Sequence, residues 1–139
     1  MSQSNRERVG KALDILNTGL QPFVEREMQA KYGPRWRYEA LNSLRDQHIS
    51  KDGTDLHLDT QGLLLILWDQ WHNVFRNVLG QAERTLVSEL REVRNSWAHQ
   101  NPFSLDDAYR ALDSVQRLLS AVSAAAEADE VEKLSLIHI

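Results

Sequence analysis

The chain has 139 residues, 42% hydrophobic and 26% charged, which suits one ordinary globular domain with a single buried core. It contains no cysteine, which excludes disulfides, thiolate nucleophiles and Cys-ligated zinc and suits a reducing, cytoplasmic setting. A formal net charge of −4 argues against non-specific wrapping of nucleic acid, so any RNA contact has to come from a local basic cluster.

The first residues, Met1-Ser-Gln-Ser-Asn-Arg-Glu-Arg-Val9, alternate charges without an apolar segment, so no signal peptide is read there. Residues 5–31 then place Val9, Leu13, Leu16, Leu20, Phe23 or Val24, and Met28 at steps of three and four, the pattern of one long amphipathic helix. Pro22 removes a backbone donor inside it and crowds the preceding turn. The apolar phase continues across the proline, so a kink is expected rather than a break. Tyr32-Gly33-Pro34 stops the helix, and two helical turns are expected around residues 39–45. Arg35-Trp36-Arg37-Tyr38 has two readings. It is either a stacking clamp for single-stranded RNA or, the better account, a Trp36 folded onto the bundle with its arginines outside. Residues 50–55 read as a turn and loop. His48 and His57 flank that loop beside Asp52, Asp55 and Asp59, at spacings that fit no zinc or calcium scheme.

Asp59 and Thr60 suit the N-cap of a helix over residues 61–79, with Trp68, Trp71, Val74 or Phe75, and Val78 on one face and Gly80 at its end. Its densest apolar run, residues 63–68, is far shorter than the roughly 20 residues a membrane span needs. His72, beside Trp68 and Trp71, reads as a surface histidine rather than a ligand. The next helix, residues 81–98, is expected to bury Ala82, Leu86, Leu90, Val93 and Trp97. Pro102 disfavours helical geometry at Asn101 and ends that helix near His99. Ser104 to Asp107 has the spacing of a capping box with Asp in place of Glu or Gln, and Ala108, Leu112, Val115, Leu119 and Val122 carry the last core helix. No strand-like alternation occurs. The expected architecture is all-α, a bundle of four long helices plus a short one. Gly10 and Gly19 have no phosphate-loop context, so no nucleoside-triphosphate site is read.

Residues 123–133 read as a linker or a fraying helix. Residues 134–139, Leu-Ser-Leu-Ile-His-Ile, match at all six positions the translation of a transposase mosaic-end sequencing adapter. On that reading the natural protein continues beyond Lys133, and His138 carries no function.

The chemistry concentrates in Glu-Leu-Arg-Glu-Val-Arg-Asn-Ser-Trp-Ala-His-Gln, residues 89–100. At about 100° per residue, Asn95 and His99 share a helix face with Arg91. Arg94 points roughly 140° away from His99 and has to be brought round by its long side chain or by an unwinding last turn. A histidine exchanges protons near neutrality, and an arginine holds a phosphate through paired donors. With the RNA 2′-hydroxyl as internal nucleophile, that set suffices to cut RNA without metal. On spacing alone, an ordinary capped helix end is the better account, because cations there stabilise a helix by about 0.3–1 kcal/mol.

The ordered pattern around the motif adds to this. Arg94-Asn95-Ser96-Trp97-Ala98-His99, followed by Phe103, Asp106-Asp107-Ala108-Tyr109 and Ala111-Leu112, resembles the C-terminal half of a HEPN domain of the Swt-type branch. Leu64-Leu65-Ile66-Leu67-Trp68-Asp69-Gln70-Trp71-His72-Asn73-Val74-Phe75 and the opening stretch from Val9 to Met28 resemble it too, so the likeness covers roughly residues 6–122. The resemblance implies a HEPN-type antiparallel helical bundle over residues 1–122 that forms a homodimer and brings two Arg–His pairs across a cleft. In catalytic members this makes a metal-independent endoribonuclease that leaves cyclic phosphate ends. Carried over, Arg94 binds the scissile phosphate, His99 transfers protons and Asn95 orients by hydrogen bonding; Arg91, on the same helix face as Asn95 and His99, is a separate candidate phosphate contact. No cofactor, metal or membrane is implied. The implied partners are RNA, a second copy, further domains of a larger prokaryotic defence or toxin-like protein, and an antitoxin or defence partner. The alternative is a non-catalytic nucleic-acid-binding or dimerisation module. A purely structural bundle is a third reading.

Overall fold

The computed structural model describes residues 4–44 and 58–136. Among them the chain forms α1 (Asn5–Tyr32), α2 (Trp36–Leu44), α3 (Thr60–Asp69), α4 (Gln81–Ala98), α5 (Leu105–Ala121) and α6 (Ala125–Leu136), with no strand. Helix starts fall where a side chain meets an orphan backbone donor. Ser4 Oγ accepts from the Glu7 N–H at 3.0 Å, Asp59 Oδ1 from Gly62 at 2.7 Å and Ser104 Oγ from Asp107 at 3.0 Å. At α4 the Glu83 carboxylate reaches back and accepts from the Gly80 N–H at 2.7 Å. Such caps each contribute about 1 kcal/mol.

α1 is the spine. Its buried stripe of Val9, Leu13, Leu16, Leu20, Val24 and Met28 packs against α3, α5 and α6, and the helix runs on past the exposed Pro22. Gly19 is where α1 meets α5 and α6 most closely. A Cβ there would stand 3.1 Å from the Ala124 Cβ and 2.3 Å from a Leu119 methyl. The Asn5 amide donates to the Phe103 carbonyl at 3.1 Å, so α1 and α5 lie side by side in the same direction. α4, α5 and α6 follow one another as antiparallel neighbours, as their short connections require.

Three expectations change. The helix expected over residues 61–79 stops at Asp69 and continues as turns with a single 3₁₀ turn, Phe75–Asn77. The buried Gln70 explains the stop, because its side chain is held from two other helices. Tyr32 Oη donates to Gln70 Oε1 at 2.7 Å, and Gln70 Nε2 donates to Ser43 Oγ at 3.1 Å. Ser43 Oγ in turn donates to Asp69 Oδ2 at 2.7 Å. Asn73 and Asn77, poor helix formers, follow directly, and Asn77 bonds back to the Val74 carbonyl at 3.3 Å. Trp71, Val74 and Phe75 are still buried, but Val78 points out. Burial pushes the Tyr32 phenol above its usual pKa, reinforced by the carboxylates of Glu39 and Asp69 and opposed by a hydrogen bond with Asn73.

The second change is at the other end. Ala125–Leu136 is a formed helix that buries Ala128 and Val131 against the bundle, with Leu134 packed beside them. Gly19 leaves room for Ala124, just before this helix, and for the Cβ of Glu127 in its first turn. In α4 the buried positions are Val87 and Leu90, with Leu86, Val93 and Trp97 half-buried and Ala82 exposed, so the helix is rotated slightly from the expected stripe. Trp36 folds onto the bundle, with the Arg37 guanidinium 5.5 Å from its ring and Arg35 and Arg37 in solvent. His48, His57, Asp52, Asp55 and His138 lie outside the described residues. No helix among the described residues is long and apolar enough to cross a membrane.

Candidate functional site

The site is built on the second half of α4. Val87 and Leu90 fix the helix on α3 and α5, and Trp97 fixes it on α1. The indole of Trp97 lies against Gly10, where a Cβ would come within 2.9 Å of its Nε1. Arg6 covers the same ring at 4.8 Å. The residue midway between Asn95 and His99 is therefore clamped between a glycine and a guanidinium of another helix.

The end of α4 is closed with equal definition. The Gln100 N–H bonds to the Trp97 carbonyl at 3.1 Å and the Asn101 N–H to the Ser96 carbonyl at 3.0 Å, while Gln100 adopts φ 61°. This paired arrangement with a left-handed residue just past the cap is a Schellman motif. His99 is the C-cap, its N–H bonded to the Asn95 carbonyl at 3.0 Å, and its side chain is exposed. The backbone that carries His99 is thus satisfied, and its imidazole stands in solvent beside the negative end of the α4 dipole.

The four site residues predicted from sequence do not all meet within one chain. Arg91, Arg94 and Asn95 line one small cleft of about 40 Å³ together with Gln61, Leu64 and Leu65 of α3. His99 lies one turn beyond and is not part of that lining. Arg91 also stands 5.6 Å from the ring of Trp68 at the end of α3. Among the described residues, none of these four side chains makes a hydrogen bond or ion pair. The arrangement presents two donor-only guanidiniums and an amide that both donates and accepts at the mouth of one cleft, with the exposed imidazole of His99 one turn beyond.

Sequence reasoning missed two contributors. Arg84 stands 4.8 Å from the Trp68 ring and 5.9 Å from Trp71, and Arg6 reaches Trp97 from the first turn of α1. The seven-residue step from Arg84 to Arg91, which keeps both on nearly the same face of α4, was the available signal for the first. Nothing in the sequence paired Arg6 with Trp97. Elsewhere, His72 is exposed beside the buried Trp71. Among the described residues no three His, Cys, Asp or Glu side chains gather closely enough to hold a metal ion. Asp59 serves as the N-cap of α3.

The all-helical bundle of the described residues is consistent with a HEPN helical bundle. Residues 11–123 match the Swt1-like HEPN family, and the chain belongs to that family. Membership implies an RNase-type or otherwise nucleic-acid-related module. Neither a curated protein nor a solved structure matches the chain.

Proposed function

We propose that the domain is a metal-independent endoribonuclease acting as a homodimer in the cytoplasm, within a larger prokaryotic defence or toxin-like protein. The observation that carries this reading is the gathering of Arg91, Arg94 and Asn95 at one cleft beside a solvent-facing His99, in a chain of the Swt1-like HEPN family. The RNA 2′-oxygen attacks the adjacent phosphorus and the 5′-oxygen leaves, giving a 2′,3′-cyclic phosphate. Arg94 holds the phosphate and offsets the charge that grows on its oxygens, as preorganised donors do. His99 moves a proton between the solvent side and the reacting oxygens, and Asn95 orients the phosphate by its amide. Because His99 stands outside the Arg94 cleft of its own chain, a second copy that brings its own His99 across to that cleft completes the set.

The same separation favours one rival, a nucleic-acid-binding or dimerisation module without catalysis. The two part in one experiment. The chain is incubated with RNA in chelator beside Arg94→Ala and His99→Ala variants of matched helicity and dimer content. Cleavage with cyclic phosphate ends in the parent, lost by about 10²–10⁴-fold in each variant, is the expected result. RNA binding without cleavage in the parent would establish the rival. Undiminished cleavage in both variants would place the activity elsewhere.

A further inference from the structure

The arginines of α4 lack the partners that helix-surface arginines ordinarily have. Positions three and four residues from Arg84 hold Gly80, Gln81, Val87 and Ser88; those around Arg91 hold Val87, Ser88, Arg94 and Asn95; those around Arg94 hold Leu90, Arg91, Trp97 and Ala98. None is a carboxylate, so no ion pair along the helix is available to any of the three. The acids of α4 are largely engaged elsewhere. Glu83 caps Gly80, and Glu89 accepts from Arg110 and, at 3.0 Å, from Ser114.

Trp68 holds two of these arginines instead. Its ring has the Arg84 guanidinium at 4.8 Å and that of Arg91 at 5.6 Å, and the Arg84 Nε is buried without a hydrogen-bond partner. A guanidinium stacked on an indole keeps its in-plane donors directed outward, which suits a planar fork for phosphate oxygens. At 1.5 Å per residue, Arg84 lies about 10 Å along the axis from Arg91, and Arg94 about 5 Å further. Arg84 and Trp68 also face an open groove of about 860 Å³ of mixed charge, where Arg84 and Arg110 stand with Glu89, Glu92 and Asp107. That volume lies within the roughly 300–1,000 Å³ of ordinary ligand sites.

We propose that Arg84 and Arg91, braced by Trp68, form a second phosphate-binding subsite, so that a single RNA strand runs along α4 from the Arg94 cleft into the Trp68 groove. The inference rests on the RNA reading of the previous section and adds to it the path of the strand. Arg84 and Arg91 are binding residues here, and Trp68 is the positioning residue that sets their forks.

The test is binding of a short fluorescent oligouridylate, followed by anisotropy over a salt series, in a His99→Ala background so that the RNA survives. Each phosphate contact on a single strand contributes about −0.7 to the slope of log affinity against log salt. Arg84→Ala is expected to weaken binding several-fold and to flatten the slope by about 0.7. Arg84→Lys is expected to keep the slope, since the charge remains, while losing affinity with the planar fork. Trp68→Leu, with both arginines intact, is expected to weaken binding without removing a charge. Parent-like affinity and slope in a folded Arg84→Ala overturn the subsite. If the parent still cleaves RNA, the endoribonuclease reading survives that result. A chain that binds no RNA overturns both. Arg84-dependent binding of an oligoglutamate, without any of RNA, overturns the inference in favour of a protein-docking surface.

Discussion

The two flanks of α4 use charge in opposite ways. Toward α5, Glu89 is tied to Arg110 and to the buried Ser114, and a charged pair closes that side. Toward α3, Arg84 and Arg91 stand against the Trp68 ring, and Arg91 and Arg94 line a cleft with Gln61, Leu64, Leu65 and Asn95 that holds no carboxylate. A surface ion pair between exposed groups contributes only about 0–1 kcal/mol, so the first flank adds modest local order. Guanidiniums left without anions, and stacked so that they hold still, keep their donors for something that is not part of the chain. An acidic protein can in this way carry one locally cationic strip.

That contrast is open to direct attack. The largest expected effect is on cleavage. Arg94→Ala on the α3 flank should lower it by at least about 10²-fold, measured with chelator present, whereas Ser114→Ala on the α5 flank should leave it unchanged. The Ser114 variant should instead lower stability by about 0.5–1.5 kcal/mol in urea unfolding, the worth of one partly buried hydrogen bond. Equal loss of cleavage in both variants would erase the distinction between the flanks.

A smaller effect is expected where α1 holds Trp97. Gly10→Ala places a methyl 2.9 Å from the indole nitrogen of Trp97. Overpacking costs about 1–3 kcal/mol, and the gain of Ala over Gly in a helix returns about 1 kcal/mol. A net loss of up to about 2 kcal/mol in urea unfolding is the expected outcome. A stabilised variant would show that Gly10 is not what lets Trp97 fix the motif.

The smallest effect has the opposite sign. Gln100 sits at φ 61° just after His99, a conformation that costs a residue with a Cβ roughly 1 kcal/mol and glycine little. Gln100→Gly should therefore raise the unfolding midpoint slightly without shifting the position of His99. A lower midpoint would mean that the Gln100 side chain contributes a contact larger than its backbone strain.

Much of this was legible in the sequence wherever one helix decides the matter alone. The span of α4 follows from its apolar spacing and Pro102. What remained hidden depends on partners distant in sequence. α3 stops early because Tyr32 and Ser43 hold Gln70, three segments that no local pattern connects. α6 looked like a fraying tail because it buries little more than Ala128 and Val131, and its fit rests on the missing side chain of Gly19 more than a hundred residues earlier. The gathering of Arg94 with Arg91 and Asn95 at α3, and the exclusion of His99 from that cleft, likewise needed the position of Leu64 and Leu65.

The central claim is that one chain holds the phosphate-binding half of a site and a second copy supplies the histidine. Co-expression of Arg94→Ala with His99→Ala, each inactive alone, tests it most directly. In a mixed dimer one cleft regains an intact Arg94 from one copy opposite an intact His99 from the other. The account predicts that metal-independent RNA cleavage returns to a sizeable fraction of the parent's rate. Mixed dimers that form but stay as inactive as either variant alone would contradict it, and would confine any chemistry to groups within a single chain.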